Sequence, residues 1–390
     1  MKIGIISIYD FPYGMAATNR MAAYSQGLSE NGVDVTVINV LPTQRKKDNI
    51  PNIGNYNGVS YIHLCGRQRS KYKIVRFCAH YFGFRFLNGL FAFCKYLKQN
   101  QFDLFVISND QPLFLLCYNI LCKIHKSKTI FIFDEYPTPI RHKLKDKIPN
   151  WKQLFYKFVL RKYDGYISIS NELKNYYNHI VEKPTIIVPL IVNTKRFQYK
   201  PIEKNTHISY VGNMELSKDN IDNIISAFSI LVKKYSEYTL HFYGNATEKT
   251  IEKLKQLIHS LHLENSVFLH GYISSEDVPQ IILGSKLMVS SQPNTTRAKG
   301  GFPTKLGEYI VMGTPTLICD VGENKLYLNE SDCFYAKPED PKEYASKMIY
   351  IIEHYDEAIK IANGGRNKIL CNYTHTIVGK RIKQFLTSIK

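Results

Sequence analysis

Several features are missing from this 390-residue sequence, and each absence excludes a class of protein. No apolar run approaches the roughly 18 residues that a membrane-spanning helix needs. The eight cysteines form no C-x-x-C pair and have no histidine at metal-binding spacing, so we expect reduced cytosolic thiols. Met1 and Lys2 run directly into an apolar strand, so we expect no targeting peptide. The G-x-G-x-x-G fingerprint of dinucleotide-binding proteins is also missing.

Acidic residues are scarce as well. The chain has 33 Asp and Glu against 51 Lys and Arg, for a net charge of +18, and residues 1–190 hold 26 basic against 12 acidic residues. A basic half indicates a polyanionic partner, which can be nucleic acid, an anionic lipid or a phosphorylated substrate. The alternative is a solvated basic surface with no partner at all.

Apolar strands alternate with helical patterns along the whole chain. The two strand–helix series are separated by a polar stretch near residues 190–205. This order predicts an α/β protein with two domains, at residues 1–195 and 205–370. In each domain we expect the loops at the carboxyl ends of the parallel strands to bind ligand.

The most informative stretch is residues 299–315, KGGFPTKLGEYIVMGTP. Gly300, Gly301 and Pro303 predict a shaped loop, because they do not fit inside a regular helix or strand. A helix should follow, with Thr304 as its N-cap and an end near Met312.

Three kinds of group meet in this stretch. The loop and the helix start offer backbone N–H groups, Lys305 adds a mobile positive charge, and Glu308 lies one turn further on the same face. Phosphate is bound by the first two kinds, and sugar hydroxyls are bound by the third. A packing turn beside a sheet is the alternative interpretation.

The stretch resembles the nucleotide-sugar motif of glycosyltransferase family 4, whose members are retaining enzymes of the GT-B fold. Gly301-Phe302, Glu308 and the turn at residues 313–315 match the motif, whereas Gly300 stands where the family has a first glutamate. The resemblance implies that Glu308 contacts the donor ribose. The implied donor-binding residues are Gly14, Gly212, Asn213, Lys218, Gly301, Phe302, Pro303, Thr304, Lys305, Leu306 and Glu308.

The resemblance also implies an architecture. We expect two Rossmann-like domains facing each other across a cleft, with a terminal helix at residues 371–390 crossing back to the N-terminal, acceptor-side domain. In the loop after the first strand of the second domain, Lys218 matches a family lysine and Asn213 replaces a family arginine. No D-x-D signature stands in a plausible loop, so we expect no metal and no cofactor besides the nucleotide-sugar substrate.

Five residues are candidates for the chemistry. Lys218 and Lys305 would stabilise a leaving diphosphate electrostatically. Asp110, Asp134 and Glu135 follow strands of the first domain and would bind the acceptor hydroxyl or take its proton. Carboxylates at strand ends also cap helices, so a structural role is the alternative for each.

The leading functional hypothesis is a retaining glycosyltransferase that uses a lipid-linked or oligosaccharide acceptor in surface polysaccharide biosynthesis. A GT-B epimerase of nucleotide sugars and a catalytically inactive partner subunit are the alternatives. A nucleic-acid binder is disfavoured, because no binding module is present and the lysines are spread over many elements.

Basic and aromatic residues alternate over residues 67–98. This pattern predicts a helix lying on the anionic inner face of the plasma membrane, which would make the protein cytoplasmic and peripheral. A core helix with basic ends is the alternative. The basic residues that we expect to contact lipid are Arg67, Arg69, Lys71, Lys73, Arg76, Arg85, Lys95 and Lys98.

Overall fold

The computed structural model describes residues 1–44, 49–72, 83–141, 148–197 and 202–389. The chain divides into two compact units. One unit is Met1–Ile191 with His375–Lys390, and the other is Val192–Thr374. Each unit is an α/β layer structure built on a sheet of parallel strands, as the alternation of strands and helices predicted.

The first unit contains an eight-stranded sheet of order β3-β4-β2-β1-β5-β6-β7-β8. All neighbouring strands are parallel except β3 and β4. Its strands are Lys2–Ser7 (β1), Asp34–Asn39 (β2), Ile53–Tyr56 (β3), Val59–His63 (β4), Leu104–Ser108 (β5), Lys128–Phe133 (β6), Gly165–Ser168 (β7) and Thr185–Ile187 (β8).

The helices of the first unit cover both faces of this sheet. They are Ala16–Glu30 (α1), Phe84–Leu97 (α2), Pro112–Ile124 (α3), Thr138–Arg141 (α4), Asn150–Leu160 (α5), Asn171–Ile180 (α6) and the terminal His375–Ser388, labelled α16 below. Because parallel crossovers are right-handed, α1, which leads from β1 to β2, lies on one face. The helices α2, α3, α5 and α6 lead in the opposite direction along the sheet and lie on the other face. The terminal helix α16 packs on α1.

Two expectations for the first unit need correction. Strand β3 lies in residues 41–60, whose polar sequence predicts a loop because it shows no apolar alternation. The basic–aromatic helix expected over residues 67–98 is helical only from Phe84 in the described part, and residues 73–82 lie outside it. Arg67 is buried and pairs with Asp10 at 2.8 Å, and Arg69 donates to the carbonyl of Pro42. Arg67 therefore holds a loop in place and is not exposed to lipid, whereas Arg69 is half-buried beside the same loop.

The second unit contains a six-stranded parallel sheet of order β11-β10-β9-β12-β13-β14. Alternate strand residues on one face of this sheet form an apolar core with the helices that pack there. The strands are His207–Val211 (β9), Thr239–Tyr243 (β10), Val267–Gly271 (β11), Leu287–Ser290 (β12), Thr316–Cys319 (β13) and Phe334–Ala336 (β14).

The helices of the second unit begin after a single 3-10 turn at Thr194–Arg196. They are Leu216–Asp219 (α7), Ile221–Leu231 (α8), Glu248–Ser260 (α9), Val278–Gly284 (α10), Thr296–Gly300 (α11), Lys305–Val311 (α12), Asn324–Tyr327 (α13), Pro341–Glu353 (α14) and Tyr355–Asn372 (α15).

The central stretch at residues 299–315 follows its predicted course with two differences. Helix α12 begins directly after Thr304, and Gly313 beyond its end has a φ of +65°, which favours glycine. The expected cap is not made, because the Thr304 backbone is itself helical and its side chain makes no capping hydrogen bond. Gly300, however, belongs to helix α11 and not to a loop. The reason is Thr295, whose hydroxyl accepts a hydrogen bond from the Ala298 N–H and caps this short helix.

Candidate functional site

The site in the second unit lies where its strand order reverses. Strands β9, β10 and β11 follow one another outward, and the chain then returns to place β12 on the other side of β9. Loops that leave the carboxyl ends of β9 and β12 therefore diverge and open a crevice, where α/β sheets bind ligands. The loop after β9 contains Gly212 and Asn213, and the segment after β12 leads into α11 and α12.

Two glycines let the loops after β9 and β10 pack closely. Gly212 and Gly244 have φ values of +156° and +141°. A Cβ atom on Gly244 would overlap the carbonyl oxygen of Gly212, and the Gly212 N–H donates to the carbonyl of Tyr243 at 2.9 Å. Only glycine fits this approach, so the position of the predicted donor loop depends on both residues.

Two tyrosine hydroxyls fix helix α12 and the loop to the end of β9. The hydroxyl of Tyr309 accepts from the Val211 N–H at 2.8 Å and donates to the Val211 carbonyl at 2.7 Å. The hydroxyl of Tyr210 donates to the carbonyl of Asn213 at 2.8 Å. Burial raises the pKa of both phenols well above the usual value, so both stay neutral hydrogen-bonding groups.

Lys305 is not the mobile charge that the sequence suggested. Its ammonium group pairs with the Asp219 carboxylate and donates to the Tyr210 hydroxyl at 2.8 Å. The Asp219 side chain is 4% exposed and that of Lys305 is 17% exposed. Burial lowers the pKa of Lys305, and the neighbouring Asp219 opposes that change. The ammonium group lies 3.1 Å from the position that a Cβ on Gly212 would take, so it supports the loop from beneath.

Glu308 points toward a partner that the sequence analysis missed. Its Oε1 lies 3.2 Å from Nη1 of Arg196, whose Nη2 donates to the carbonyl of Ser275 at 3.3 Å. Burial raises the pKa of Glu308, and the guanidinium of Arg196 opposes that rise. Arg196 lies in the polar stretch that was assigned to the domain boundary, and no local pattern marks it as a site residue.

The other predicted donor residues differ in what they expose. Asn213 and Lys218 are exposed, whereas the Phe302 and Leu306 side chains are buried and can offer a ligand little besides their backbone. The ring of Phe302 packs edge-on against Tyr327.

The backbone N–H groups expected to face phosphate are partly used within the chain. The Gly301 N–H donates to the Arg297 carbonyl at 3.1 Å, and the Leu306 N–H donates to the Pro303 carbonyl at 3.0 Å. Helix α12 is only seven residues long. Side chains therefore carry more of the proposed anion binding than the helix start does.

A second group of candidates lies in the first unit, at the reversal of strand order between β1 and β5. Arg141 lies between two of the three carboxylates, with Nη1 2.9 Å from Glu135 and Nη2 3.2 Å from Asp110. The hydroxyl of Thr138 also donates to Asp110 at 2.6 Å. The structure thus brings Asp110 and Glu135 together around the Arg141 guanidinium, a cation that the sequence did not single out.

Asp134 has a different environment. Its Oδ1 lies 3.3 Å from Nε of Arg20, and the Arg20 guanidinium also donates to the carbonyls of Val188 and Pro189. Arg20 lies about one turn into α1, where a cation opposes the helix dipole, and Asp134 is its anionic partner. Although 36% of the Asp134 side chain is exposed, removal of water raises its pKa, and Arg20 opposes the rise.

Gly14 lies in the exposed loop before α1 of the first unit, whereas the other predicted donor residues lie in the second unit. A Cβ on Gly14 would overlap the Thr18 hydroxyl, which donates to the Asp10 carbonyl at 2.7 Å. Within the described ranges, no group of three or more His, Cys, Asp or Glu side chains is arranged to hold a metal ion. Among the same residues, every helix is too short or too polar to cross a membrane.

Comparison with known proteins supports the family suggested by the motif. Residues 192–368 match the model of the glycosyl transferases group 1 family. The poly(glycerol-phosphate) alpha-glucosyltransferase of Bacillus subtilis is 31% identical over 111 residues, which cover 28% of this chain and 15% of that protein. The chain spans between 15% and 36% of the length of the curated relatives that it matches.

Solved structures share the fold over the whole chain. Sucrose-phosphate synthase from Thermosynechococcus elongatus superimposes with a TM-score of 0.76 at 15% identity and covers 99% of this chain and 98% of its own. The Anabaena protein HepE, in complex with UDP and glucose, superimposes with a TM-score of 0.71 at 13% identity over 100% of both chains. The fold is therefore GT-B, and residues 192–368 are of the glycosyl transferases group 1 type.

Proposed function

We propose that the chain is a retaining glycosyltransferase that moves a sugar from a nucleotide sugar to a lipid-linked or oligosaccharide acceptor in surface polysaccharide biosynthesis, without a metal ion. One observation carries the donor half of this proposal. The Gly212 loop, Lys305 and the Glu308–Arg196 pair are held within one unit, at the reversal of strand order. The HepE structure, which contains UDP, and the family match support the same assignment.

The donor would be bound by groups of complementary charge. Glu308 accepts hydrogen bonds from the ribose hydroxyls, and Arg196 holds its carboxylate in place at 3.2 Å. Lys218, exposed on the short helix α7 that follows the loop, contacts the diphosphate. Lys305 adds positive potential beneath the loop, although Asp219 compensates part of its charge. Asn213 offers an amide in place of the arginine that the family commonly has.

In the transfer step, the bond between the anomeric carbon and the diphosphate oxygen breaks, and a bond to the acceptor hydroxyl oxygen forms on the same face of the sugar. Negative charge grows on the leaving diphosphate, so basic side chains stabilise the transition state more than the ground state. The acceptor proton leaves as the new bond forms. We assign no covalent nucleophile.

Asp134 is the best candidate of the three carboxylates to receive that proton. Burial raises its pKa, which makes its carboxylate a stronger base. Asp110 and Glu135 share the Arg141 guanidinium, which holds both carboxylates in place. We assign these two residues to positioning the acceptor. The Bacillus subtilis relative is by name a poly(glycerol-phosphate) alpha-glucosyltransferase, and this name supports a polymeric acceptor.

The test begins with a panel of nucleotide sugars, including UDP-glucose, that are screened for thermal stabilisation of the full chain. A donor that stabilises the chain is then supplied with membrane lipid extract, and the anomeric configuration of the first product is determined by NMR. Retained configuration supports the proposal, and an inverted anomeric centre refutes the assigned stereochemistry. A donor epimer formed without acceptor identifies an epimerase. Failure of every nucleotide sugar to stabilise the chain identifies an inactive partner subunit.

A further inference from the structure

Three helices on one face of the first unit's sheet expose large apolar side chains that do not contribute to its core. On α2, the side chains of Phe84, Leu87 and Phe91 are each more than half exposed. Their spacing of three and seven residues places them on one stripe of the helix. The opposite face already contributes Phe93 to the core, where its ring lies 5.3 Å from that of Tyr118.

The neighbouring helix α3 continues this surface. It packs against α2 on one side and α5 on the other. Its inner face buries Phe114 and Tyr118, whereas Leu113, Ile120 and Ile124 are exposed at positions that share one stripe.

Helix α5 extends the surface in the same way. Trp151, Leu154 and Phe158 are each more than half exposed, at spacings of three and seven residues, while Tyr156 is buried. The next helix along this face, α6, shows what an ordinary solvated helix presents in this protein. Its exposed residues are Glu172, Asn175 and His179. The apolar face is thus confined to α2, α3 and α5.

The charge around this apolar face is of one sign. The helices α2, α3 and α5 contain no Asp or Glu, and they contain Arg85, Lys95, Lys123, Lys152 and Lys157. Lys123 pairs with Asp164, and Arg85 donates to a backbone carbonyl. Lys95 and Lys157 lie on the exposed sides of their helices.

We propose that this apolar face, formed by the exposed residues of α2, α3 and α5, is the surface by which the first unit binds an anionic lipid bilayer. Aromatic and aliphatic side chains enter the headgroup–acyl boundary, and the lysines contact lipid phosphates. A second copy of the chain fits less well, because a two-fold contact would place the same lysines against each other. The inference moves the expected membrane contact from Arg67 and Arg69 to three packed helices. It rests on the proposed function only for the lipid-linked nature of the acceptor.

The experiment is a sedimentation assay of the full chain with vesicles of phosphatidylcholine, alone or mixed with phosphatidylglycerol. We expect the chain to bind only the anionic vesicles. This binding should weaken as the ionic strength is raised past its physiological value. Replacing Phe91, Ile124 and Leu154 with Gln, one residue on each helix, should lower the bound fraction at least about tenfold, because each loses apolar area that the interface would bury.

One control variant matches this change, and a further variant tests the lysines. Tyr272 and Leu326 in the second unit are 69% and 67% exposed, comparable to the 67–73% of the three replaced residues. Tyr272→Gln with Leu326→Gln should leave vesicle binding unchanged. Lys95→Gln with Lys157→Gln should weaken binding while preserving the apolar face. Thermal midpoints of all variants establish that they fold.

Three results would overturn the inference. The chain could sediment equally with neutral and anionic vesicles, or with neither. The Tyr272/Leu326 control variant could lose as much vesicle binding as the triple variant. Conversion of a dimer to a monomer by the triple variant would assign the face to a second copy. Because the vesicles carry no donor, nucleotide-sugar binding is measured separately by calorimetry. Failure of vesicle binding with donor binding intact refutes only this inference, and the reverse result refutes only the proposed donor site.

Discussion

Replacing Lys305 tests the buried ion pair beneath the donor loop. In the Lys305→Met variant, the Asp219 carboxylate keeps its charge and loses its cation, although only 4% of its side chain is exposed. Removing one partner of a buried pair costs about 3–5 kcal/mol. We expect the lower end, about 3 kcal/mol, because 17% of the Lys305 side chain is accessible and the Tyr210 hydroxyl remains nearby.

The assay is hydrogen exchange of the full chain, followed by mass spectrometry of peptides from both units. A loss of about 3 kcal/mol should speed exchange in β9 and β12 about 100-fold, since about 1.4 kcal/mol corresponds to a factor of ten. Peptides from β1 and β5 in the first unit serve as an internal control and should be unchanged. Adding Asp219→Leu should restore most of the protection, because two apolar residues leave no buried charge.

The same pair of variants separates structure from catalysis. If Lys305 stabilises the leaving diphosphate, both the single and the double variant lose kcat, although the double variant is folded. If its role is only to support the loop, the double variant regains turnover together with its stability. Protection in Lys305→Met that equals that of the unmodified chain would refute the argument that the pair is buried and structurally required.

Further predictions concern the glycines and histidines of the second unit. Gly244→Ala should displace the Gly212 loop and weaken donor binding in calorimetry, whereas Gly284→Ala, with only ordinary contacts, should not; equal affinities would contradict the packing argument. Burial beside His270 lowers the pKa of His241 to about 4, so the folded chain resists a proton that the unfolded chain binds below about 6.5. The free energy of unfolding should therefore be highest at neutral pH and fall by at most about 3 kcal/mol between about pH 6.5 and 4. This figure follows from about 1.4 kcal/mol for each unit by which the pKa is lowered. In urea titrations His241→Phe should flatten this slope, and an unchanged slope would assign it to other groups.

Much of the fold follows from local sequence signals. Apolar strands that alternate with helical patterns predict two α/β domains, and helix α12 ends where Gly313 predicts that it should. Strand β3 was missed because its exposed edge position requires no apolar alternation. Gly300 was assigned to a loop because Thr295, which caps helix α11, lies outside the motif at residues 299–315.

The partners in the site could not be predicted from the sequence. Arg196 and Glu308 are separated by 112 positions, and Lys305 and Asp219 by 86. No spacing rule connects such residues, because the strand order decides which loops meet. The apolar face has the same origin. The stripe on α2 is visible in the sequence, but its continuation onto α3 and α5 depends on which helices cover the same face of the sheet.

The central claim is that the second unit binds a nucleotide sugar through Glu308, and calorimetry tests it most directly. Free UDP and UDP-glucose are titrated into the full chain and into Glu308→Gln, with Glu172→Gln on α6 as the matched control. Gln removes the charge while keeping the size and leaves Arg196 without its carboxylate. The account predicts that affinity for both ligands falls by about 1–3 kcal/mol in Glu308→Gln, which is the range for losing a hydrogen bond to a charged group, and is unchanged in the control. Equal affinity of the unmodified chain and Glu308→Gln for both ligands would contradict the account.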